Sequence, residues 1–348
     1  MKVVVFGDSF IGLDVFRQAF AGVAKQNDVR FVAVDEGTKL VPATPSEKSL
    51  REYLGSPRQL ISEVRDAEVL VVHGAPVSDE VMAAAPNLRV VCCARGGPVN
   101  VDVAAATKRG IQVVTAPGKN AEAVAELTIA LMVILSRNLI KAYEHVRSVK
   151  VVGNDNFEGA RFTGSELEGK TLGLIGFGRV GSKVARKAIA FGMRVLVYDP
   201  FLSRATIESE GITAASFEQA MKCDYVSLHA RESKENENLV GRKQFSLMKR
   251  GSYFVNTARP SLVDESALLD ALRNGTLAGA AVDVVRYEPA RPVSPLLELD
   301  NVVVLPHIGG ATRETTTKGA FIVANQLELY AKGEKMETVI NPETRAGR

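Results

Sequence analysis

Three glycines in the order G-x-G-x-x-G follow an apolar run of strand length, and this spacing suits a dinucleotide phosphate. The glycines are Gly176, Gly178 and Gly181, the run is Thr171–Ile175, and Asp199 follows a second apolar run 18 residues beyond Gly181 (199 − 181). In such βαβ units one glycine makes a tight turn, one lets the backbone approach the pyrophosphate, and one lets helix pack on strand. The helix N-terminus adds free N–H groups and a positive dipole end. An acid at position 199 accepts hydrogen bonds from ribose hydroxyls and repels a 2′-phosphate, so the motif predicts NAD rather than NADP.

The same residues also have a purely structural interpretation. Glycine-rich turns are common, and an acid at a strand end can simply be solvated. Here the apolar run, a helix-compatible segment at 179–190 and the distal acid occur together in the required order. This combination favours the binding of a dinucleotide.

Hydride transfer to or from an alcohol needs two protein groups besides the cofactor. An acid/base handles the hydroxyl proton, and a cation holds a substrate carboxylate and polarises its carbonyl. Ligands of open α/β sheets lie beyond the carboxyl ends of the strands, so the candidates are charged or titratable residues that follow apolar runs: Arg259, Asp283, Glu288 and His307. Each has a structural alternative: a buried, hydrogen-bonded histidine, a surface arginine, or acids in turns.

These residues require a sheet that gathers strand ends, and the chain alternates strand-like and helix-like segments throughout. We predict strands at 2–6, 29–34, 68–72, 89–93 and 111–114 in the first part. Six more are predicted at 171–175, 194–198, 225–228, 252–256, 278–282 and 302–305. The alternation predicts an α/β fold with largely parallel sheets, the second of them doubly wound.

Helices are predicted at 13–24, 101–109, 264–273 and 315–332, with a helix start at 78–80 and loops at 35–49 and 151–165. Residues 121–147 contain no Gly or Pro and predict one long helix of about 40 Å. Its first half is apolar nearly all round, which indicates burial on several sides, between domains or subunits. An ordinary core helix is the alternative.

Composition and charge exclude several classes of function. A net charge of +3 over 348 residues, with no basic block, gives no reason to expect nucleic acid or an anionic membrane. The most apolar stretch, 127–135, is shorter than the roughly 20 residues of a membrane span, and residues 1–7 predict a first strand rather than a signal peptide. The cysteines Cys92, Cys93 and Cys223 predict buried thiols of a reducing compartment, the first two on opposite faces of a strand. We therefore expect a cytoplasmic protein, without a metal ion.

Several segments resemble the D-2-hydroxyacid dehydrogenase family, which includes phosphoglycerate dehydrogenase, glyoxylate/hydroxypyruvate reductase and formate dehydrogenase. They are NTAR (256–259), VDVVRYEP (282–289) and LPHIGGAT (305–312), supported by NAEAVAE (120–126), GFGRVG (176–181) and VSLH (226–229). The similarity covers nearly the whole chain in the family's order.

The resemblance implies a role for each matching residue. His307 is the general acid/base, Glu288 hydrogen-bonds its imidazole and raises its pKa, and Arg259 grips the substrate carboxylate. The cofactor NAD (NADH) is held by Gly176, Gly178, Arg179, Val180, Gly181, Asp199, His229, Thr257, Ala258, Asp283 and Gly310, with Asp283 on the nicotinamide carboxamide. The small 2-hydroxy or 2-keto acid is bound by Gly74, Arg95, Gly96 and Gly97 together with Arg259.

The resemblance also implies two doubly wound domains. A Rossmann NAD-binding domain, residues 119–315, is inserted into a flavodoxin-like substrate domain made of residues 1–118 and 316–348. The helix at 121–147 is similar to the family's interdomain and dimer helix, so a homodimer is expected.

Departures from the family pattern concern the substrate. Pro260 replaces the glycine usual after the arginine and favours an extended Arg259, and Arg95 is an extra cation in the loop 94–100. Residues 72–75 lack the arginines expected for a phosphorylated substrate, and the chain ends at Arg348 without the regulatory extension of many phosphoglycerate dehydrogenases. We therefore favour a non-phosphorylated acid. The alternatives are 3-phosphoglycerate or phosphite oxidation, and a non-catalytic NAD-sensing scaffold.

Overall fold

A computed structural model describes residues 1–38, 40–149, 158–285 and 294–344. The strands are β1 Lys2–Gly7, β2 Asp28–Ala33, β3 Val69–Val72, β4 Val90–Cys93, β5 Gln112–Thr115, β6 Thr171–Ile175, β7 Arg194–Tyr198, β8 Thr213–Ala214, β9 Tyr225–Leu228, β10 Ser252–Asn256, β11 Leu277–Val282 and β12 Val302–Val304. The α-helices are α1 Leu13–Ala19, α2 Ala21–Ala24, α3 Pro45–Ser49, α4 Pro57–Glu63, α5 Asp79–Ala83, α6 Val103–Lys108, α7 Ala121–Ser136, α8 Leu139–Val149, α9 Gly181–Ala190, α10 Arg204–Glu208, α11 Phe217–Met221, α12 Arg242–Phe245, α13 Glu265–Arg273 and α14 Arg313–Ala331. Short 3₁₀ turns cover Glu158–Phe162, Lys234–Asn236, Pro260–Leu262 and Pro295–Glu298.

The chain forms two compact units. Unit 1 contains Met1–Asn120 and the segment from Ala311 onward, and unit 2 contains Ala121–Gly310. The predicted α/β class is confirmed, since both units are parallel sheets with helices.

Unit 1 is built on a five-stranded parallel sheet in the order β2-β1-β3-β4-β5. Its central strands are buried on both faces, because successive side chains enter cores on opposite sides of the sheet. Cys93 joins one core and Cys92 the other, so the predicted opposite orientation of these two thiols is confirmed. The C-terminal helix α14 covers the second face with Val323 and Leu327.

Unit 2 is built on a seven-stranded parallel sheet in the order β12-β11-β10-β9-β6-β7-β8. The strand order reverses between β6 and β9, and this reversal opens the crevice where such sheets bind nucleotides. The six predicted strands all form, and the short β8 is a seventh that the sequence pattern did not predict.

The prediction of one long helix at 121–147 is wrong. The chain bends by 62° between α7 and α8, and Asn138 takes a left-handed φ of 52°. The carbonyl of Ser136, which a continuous helix would use internally, instead accepts the N–H of Ser165 at 2.8 Å. The side chain of Asn138 donates to the carbonyl of Thr163, so a segment distant in sequence ends the helix.

Two smaller predictions also need correction. The predicted helix at 13–24 is divided at Phe20 into α1 and α2. The predicted loop at 35–49 contains α3, whose start is stabilised by a capping box between Thr44 and Glu47 and by Pro45 in the first turn. The signal for α3 was therefore present in the sequence and was outweighed by its prolines.

Among the described residues no single helix is both long and apolar enough to cross a bilayer. The bent pair α7 and α8 meets the criteria of length and composition only when its two helices are counted together.

Candidate active site

The glycine motif of unit 2 has three different environments, one for each glycine. Gly176 has a φ of 101°, and a Cβ there would lie 2.7 Å from the backbone of His229. A Cβ on Gly181 would lie 2.2 Å from the carbonyl oxygen of Gly176, whereas a Cβ on Gly178 would meet nothing within 4 Å. The first glycine thus permits the turn, the last permits close packing of α9, and the middle one leaves its surroundings open.

The backbone N–H groups around Gly178 are available to a ligand. Among the described residues no oxygen accepts the N–H groups of residues 178–181, where α9 begins. Asp199 accepts the N–H of Phe177 at 2.8 Å and that of Phe201 at 2.9 Å, which fixes its carboxylate beside the glycine turn. Because each carboxylate oxygen has a second lone pair, Asp199 can still accept hydrogen bonds from a ribose.

His229 follows β9, next to the glycine turn. Burial lowers the pKa of His229 to about 3, so its imidazole is neutral at pH 7. Its Nε2 is paired with the hydroxyl of Ser227 at 2.9 Å. This residue therefore packs the turn and is unsuited to proton transfer.

His307 lies at the carboxyl end of β12 on an exposed turn with a φ of 58°. Its N–H donates to the carbonyl of Asp283 at 2.9 Å. The Asp283 carboxylate, only 1% exposed, accepts the N–H of Ile308 at 2.8 Å and that of Gly309 at 2.7 Å. Asp283 thus holds the turn that carries the imidazole, a role the sequence did not predict.

Arg259 lies at the end of β10, the strand beside β11, which in turn pairs with β12. Its φ of −145° and ψ of 146° confirm the extended conformation predicted from Pro260. The guanidinium donates to the carbonyl of Ala258 at 2.8 Å, and within the described ranges no carboxylate pairs with it. Its charge is therefore available to an anion. The predicted partner of His307, Glu288, lies outside the described residues.

Residues around Arg259 are fixed by the sheet. The hydroxyl of Thr257 is paired with that of Thr128 on α7 at 2.9 Å. The N–H of Ala258 donates to the side chain of Asn256. Gly310 ends unit 2, one residue beyond Gly309.

In the part of the chain that is described, no three His, Cys, Asp or Glu side chains are grouped as metal ligands.

The predicted substrate residues of unit 1 follow β3 and β4. The N–H of Gly74 donates to Asp8 at 2.7 Å and is not available to a substrate. The guanidinium of Arg95 pairs with the carboxylate of Glu52. A Cβ on Gly96 would approach only the Ala116 carbonyl, at 3.8 Å, and one on Gly97 would meet nothing within 4 Å, so this loop is open.

Comparison with known proteins agrees with this geometry. Residues 129–309 match the family described as D-isomer specific 2-hydroxyacid dehydrogenase, NAD binding domain. The chain is also 40% identical, over 81% of its length, to D-3-phosphoglycerate dehydrogenase of Methanocaldococcus jannaschii. The protein belongs to the D-isomer-specific 2-hydroxyacid dehydrogenase family.

One further sequence relative and one solved structure extend the comparison. Glyoxylate reductase of Korarchaeum cryptofilum is 38% identical over 83% of this chain and 87% of its own. The crystal structure of the TT0316 protein from Thermus thermophilus superposes with a TM-score of 0.76 at 32% identity and covers 98% of this chain and 100% of its own. The match to the M. jannaschii phosphoglycerate dehydrogenase spans only 53% of that protein.

The residues of unit 2 fit the NAD that gives this domain its name. The open space at Gly178, the unused N–H groups of residues 178–181 and the fixed carboxylate of Asp199 match a pyrophosphate and a ribose. A nicotinamide cofactor bound here would supply or accept a hydride.

Two charged residues near the unit 1 site were missed at the sequence level. Asp8 follows β1, and Lys119 follows β5 by four residues. Both would have been found by applying to unit 1 the strand-end criterion that selected Arg259 and His307. His73, which directly follows β3, pairs with Asp8 at 3.1 Å between Nδ1 and Oδ2.

Proposed function

We propose that this protein transfers a hydride between NAD(H) and C2 of a small D-2-hydroxy acid or 2-keto acid. The observation that carries the proposal is the placement of His307 and Arg259 in unit 2. His307 lies on an exposed turn that the buried Asp283 holds. Arg259 lies two strands away from His307, and no acidic side chain in the described part of the chain pairs with it. The reaction requires an acid/base group and an anion-binding group, and both lie here at strand ends on one edge of the sheet.

The proposed roles follow from the chemistry of each side chain. Arg259 binds the substrate carboxylate and polarises the C2 carbonyl. In reduction the His307 imidazolium gives its proton to the carbonyl oxygen as hydride reaches C2, and in oxidation the neutral imidazole takes the hydroxyl proton. Glu288 is proposed to stabilise the imidazolium, and Asp199 to select NAD over NADP. Unit 1 is proposed as the substrate domain and unit 2 as the cofactor domain.

The test is NADH consumption with a panel of 2-keto acids, repeated with NADPH. The panel contains glyoxylate, pyruvate, hydroxypyruvate, oxaloacetate and 3-phosphohydroxypyruvate, and we expect the non-phosphorylated acids to react best. His307→Ala should lower kcat by about 10²–10⁴-fold while NADH still binds. His145→Ala is the control, because His145 lies on α8 and pairs with Glu158. Wild-type turnover by His307→Ala would refute the assignment, and NADH binding without turnover on any acid would favour a sensing role.

We also propose that the protein is a cytoplasmic homodimer that binds neither nucleic acid nor membrane. Helix α8 supports the dimer, because five apolar side chains on it are 41–59% exposed: Leu139, Ile140, Tyr143, Val146 and Val149. An apolar stripe of this kind is typical of a protein interface. The mass in solution should therefore be that of two chains, and Val146→Lys should produce monomers. A monomeric wild type would contradict this.

A further inference from the structure

The sheet of unit 1 has its own ligand-binding edge. Its strand order reverses between β1 and β3, and in sheets of this topology ligands bind beyond the carboxyl ends of the strands at that point. Asp8 directly follows β1 and His73 directly follows β3. Arg95 and Lys119 follow β4 and β5. Four strands therefore bring titratable groups to one edge.

Lys119 is held at this edge by a close approach to α14. A Cβ on Gly319 would lie 2.9 Å from Cδ of Lys119, 3.3 Å from its Nζ and 2.9 Å from the carbonyl oxygen of Ala94. Only glycine at position 319 leaves room for the lysine side chain over the helix. The ammonium group is thus placed by packing rather than by an ion pair.

The other charges at this edge already have partners. Asp8 accepts N–H groups of Phe10, Ile11 and Gly74 and the ring N–H of His73. Burial raises the pKa of Asp8, but these hydrogen bonds outweigh it and leave the pKa below its usual value. Burial, together with repulsion by Lys119 and Arg95, lowers the pKa of His73 below its usual value although Asp8 raises it, so the neutral imidazole is favoured at pH 7. The Arg95 guanidinium is paired with Glu52.

Lys119 differs from these groups. Its side chain is half-buried, and no oxygen in the described ranges accepts a hydrogen bond from its ammonium group. A partly desolvated cation without an acceptor is costly for the free protein, and an anionic ligand removes that cost.

We propose that the Lys119 ammonium group binds an anionic group of the substrate at the carboxyl edge of the unit 1 sheet. The chemistry is that of a carboxylate or a phosphate. The proposal rests on the proposed function, since it makes Lys119 a specificity-determining residue for the 2-keto acid. No role was assigned to this residue from the sequence.

The titration of Lys119 predicts how the affinity for an anion depends on pH. Burial, and then repulsion by Arg95, lower the pKa of Lys119 to about 8, while Cys93 and Asp8 raise it. His73 also interacts electrostatically with Lys119, and on α14 the uncharged Gly319 lies against the lysine side chain. The side chain is therefore a cation below about pH 8 and neutral above it, so affinity for an anion falls as the pH rises through this value.

The first experiment compares Lys119→Met with Lys119→Arg. Lys25→Met is the control, because Lys25 is an exposed lysine of the same unit. Loss of a hydrogen bond to a charged group should raise KM by about 10- to 100-fold in Lys119→Met, with kcat changed only a few-fold. The same rise for every acid identifies the C1 carboxylate as the ligand. A rise confined to oxaloacetate and 3-phosphohydroxypyruvate identifies a second anionic group. An unchanged KM for all acids overturns the proposal.

The pH profile is the second readout. Because His307 also gains and loses a proton in the proposed reaction, the profile is measured as the Kd of oxalate in a His307→Ala background. This Kd should rise as the pH rises through about 8, and with Lys119→Arg added the rise should disappear because arginine stays charged. A rise that persists in the His307→Ala/Lys119→Arg double variant counts against the proposal. Thermal unfolding of each variant shows that the protein is folded.

A binding experiment separates this proposal from the proposed function. Oxalate is titrated into wild-type protein and Lys119→Met in a calorimeter, with and without NADH. If the wild type binds oxalate through Lys119 but reduces no 2-keto acid, the proposed function fails and the anion site stands. If the wild type reduces 2-keto acids and both proteins bind oxalate equally, only the anion site fails. No oxalate binding by the wild type overturns the site in either case.

Discussion

Replacing Asp283 tests whether a buried carboxylate holds the proposed acid/base in position. Asp283→Asn keeps the shape of the side chain but turns one acceptor oxygen into a donor. The carboxylate now accepts two N–H groups, from Ile308 at 2.8 Å and Gly309 at 2.7 Å. Asparagine can accept only one of them and opposes the other with its own N–H.

The magnitude follows from these two bonds. A hydrogen bond to a charged acceptor contributes about 1.5–3 kcal/mol, and an unsatisfied buried N–H adds to the loss. Left-handed backbone costs a residue other than glycine about 1–2 kcal/mol, so His307, with a φ of 58°, keeps this conformation only while the turn is held. We expect the active turn to be depopulated about 10- to 100-fold, with kcat lowered by the same factor.

The assay measures kcat at saturating NADH and substrate, the Kd of NADH, and the melting temperature. A role limited to the nicotinamide carboxamide predicts a weaker Kd with kcat preserved at saturation, whereas a positioning role predicts a lower kcat at saturation. Gly309→Ala is a second test that keeps the charge, because its Cβ would lie 2.8 Å from Oδ2 of Asp283. Asp300→Asn, at an exposed acid of the same unit, is the control. A kcat within two-fold of wild type in both Asp283→Asn and Gly309→Ala would refute the reasoning.

Three further predictions concern the cofactor, the packing and the pH dependence of stability. Asp199→Ser should weaken NADH binding and increase the relative activity with NADPH, since it removes the repulsion of a 2′-phosphate; an unchanged ratio of the two kcat/KM values would contradict this. Gly173→Ala should lower the stability of unit 2 by about 1–3 kcal/mol in urea unfolding, because its Cβ would lie 1.9 Å from the carbonyl oxygen of Ala220; an unchanged midpoint would show that the strand and helix can separate at no cost. At Asp224 burial is opposed by hydrogen bonds from Lys249 and from the hydroxyl and N–H of Thr171, and the pKa is lowered to about 2. Its stabilising effect is therefore present above about pH 4 and lost as the pH falls through about 2, so Asp224→Asn should cost about 1–2 kcal/mol at pH 7 and progressively less as the pH falls toward 2 and below; a cost independent of pH would exclude this carboxylate as the cause.

The strands and the glycine turn could be predicted because their signals are local. An apolar run with alternating faces specifies a buried parallel strand, and the glycine spacing specifies the turn after β6. The strand-end criterion also selected Arg259 and His307, since carboxyl ends of parallel strands share one edge of the sheet. The predicted domain boundaries after residues 118 and 315 and the predicted role of each site residue stay predictions.

Contacts between distant segments decided the features that the sequence did not predict. The helix predicted at 121–147 ends at Ser136 because Ser165 takes its carbonyl, and no pattern within the helix announces this bond. Arg95 is a second example. The sequence shows only an additional cation in the loop after β4, whereas in the structure its guanidinium pairs with Glu52.

By itself the sequence determined the α/β class, the order of the strands along the chain and the dinucleotide motif, because periodicity and glycine spacing act over a few residues. Only the tertiary structure decided that Asp283 holds the His307 turn and that Lys119 packs over Gly319 without an acceptor among the described residues. Such contacts depend on where separate elements meet in space, and a hydrogen bond or a close approach across that distance leaves no periodic trace in the residues that make it.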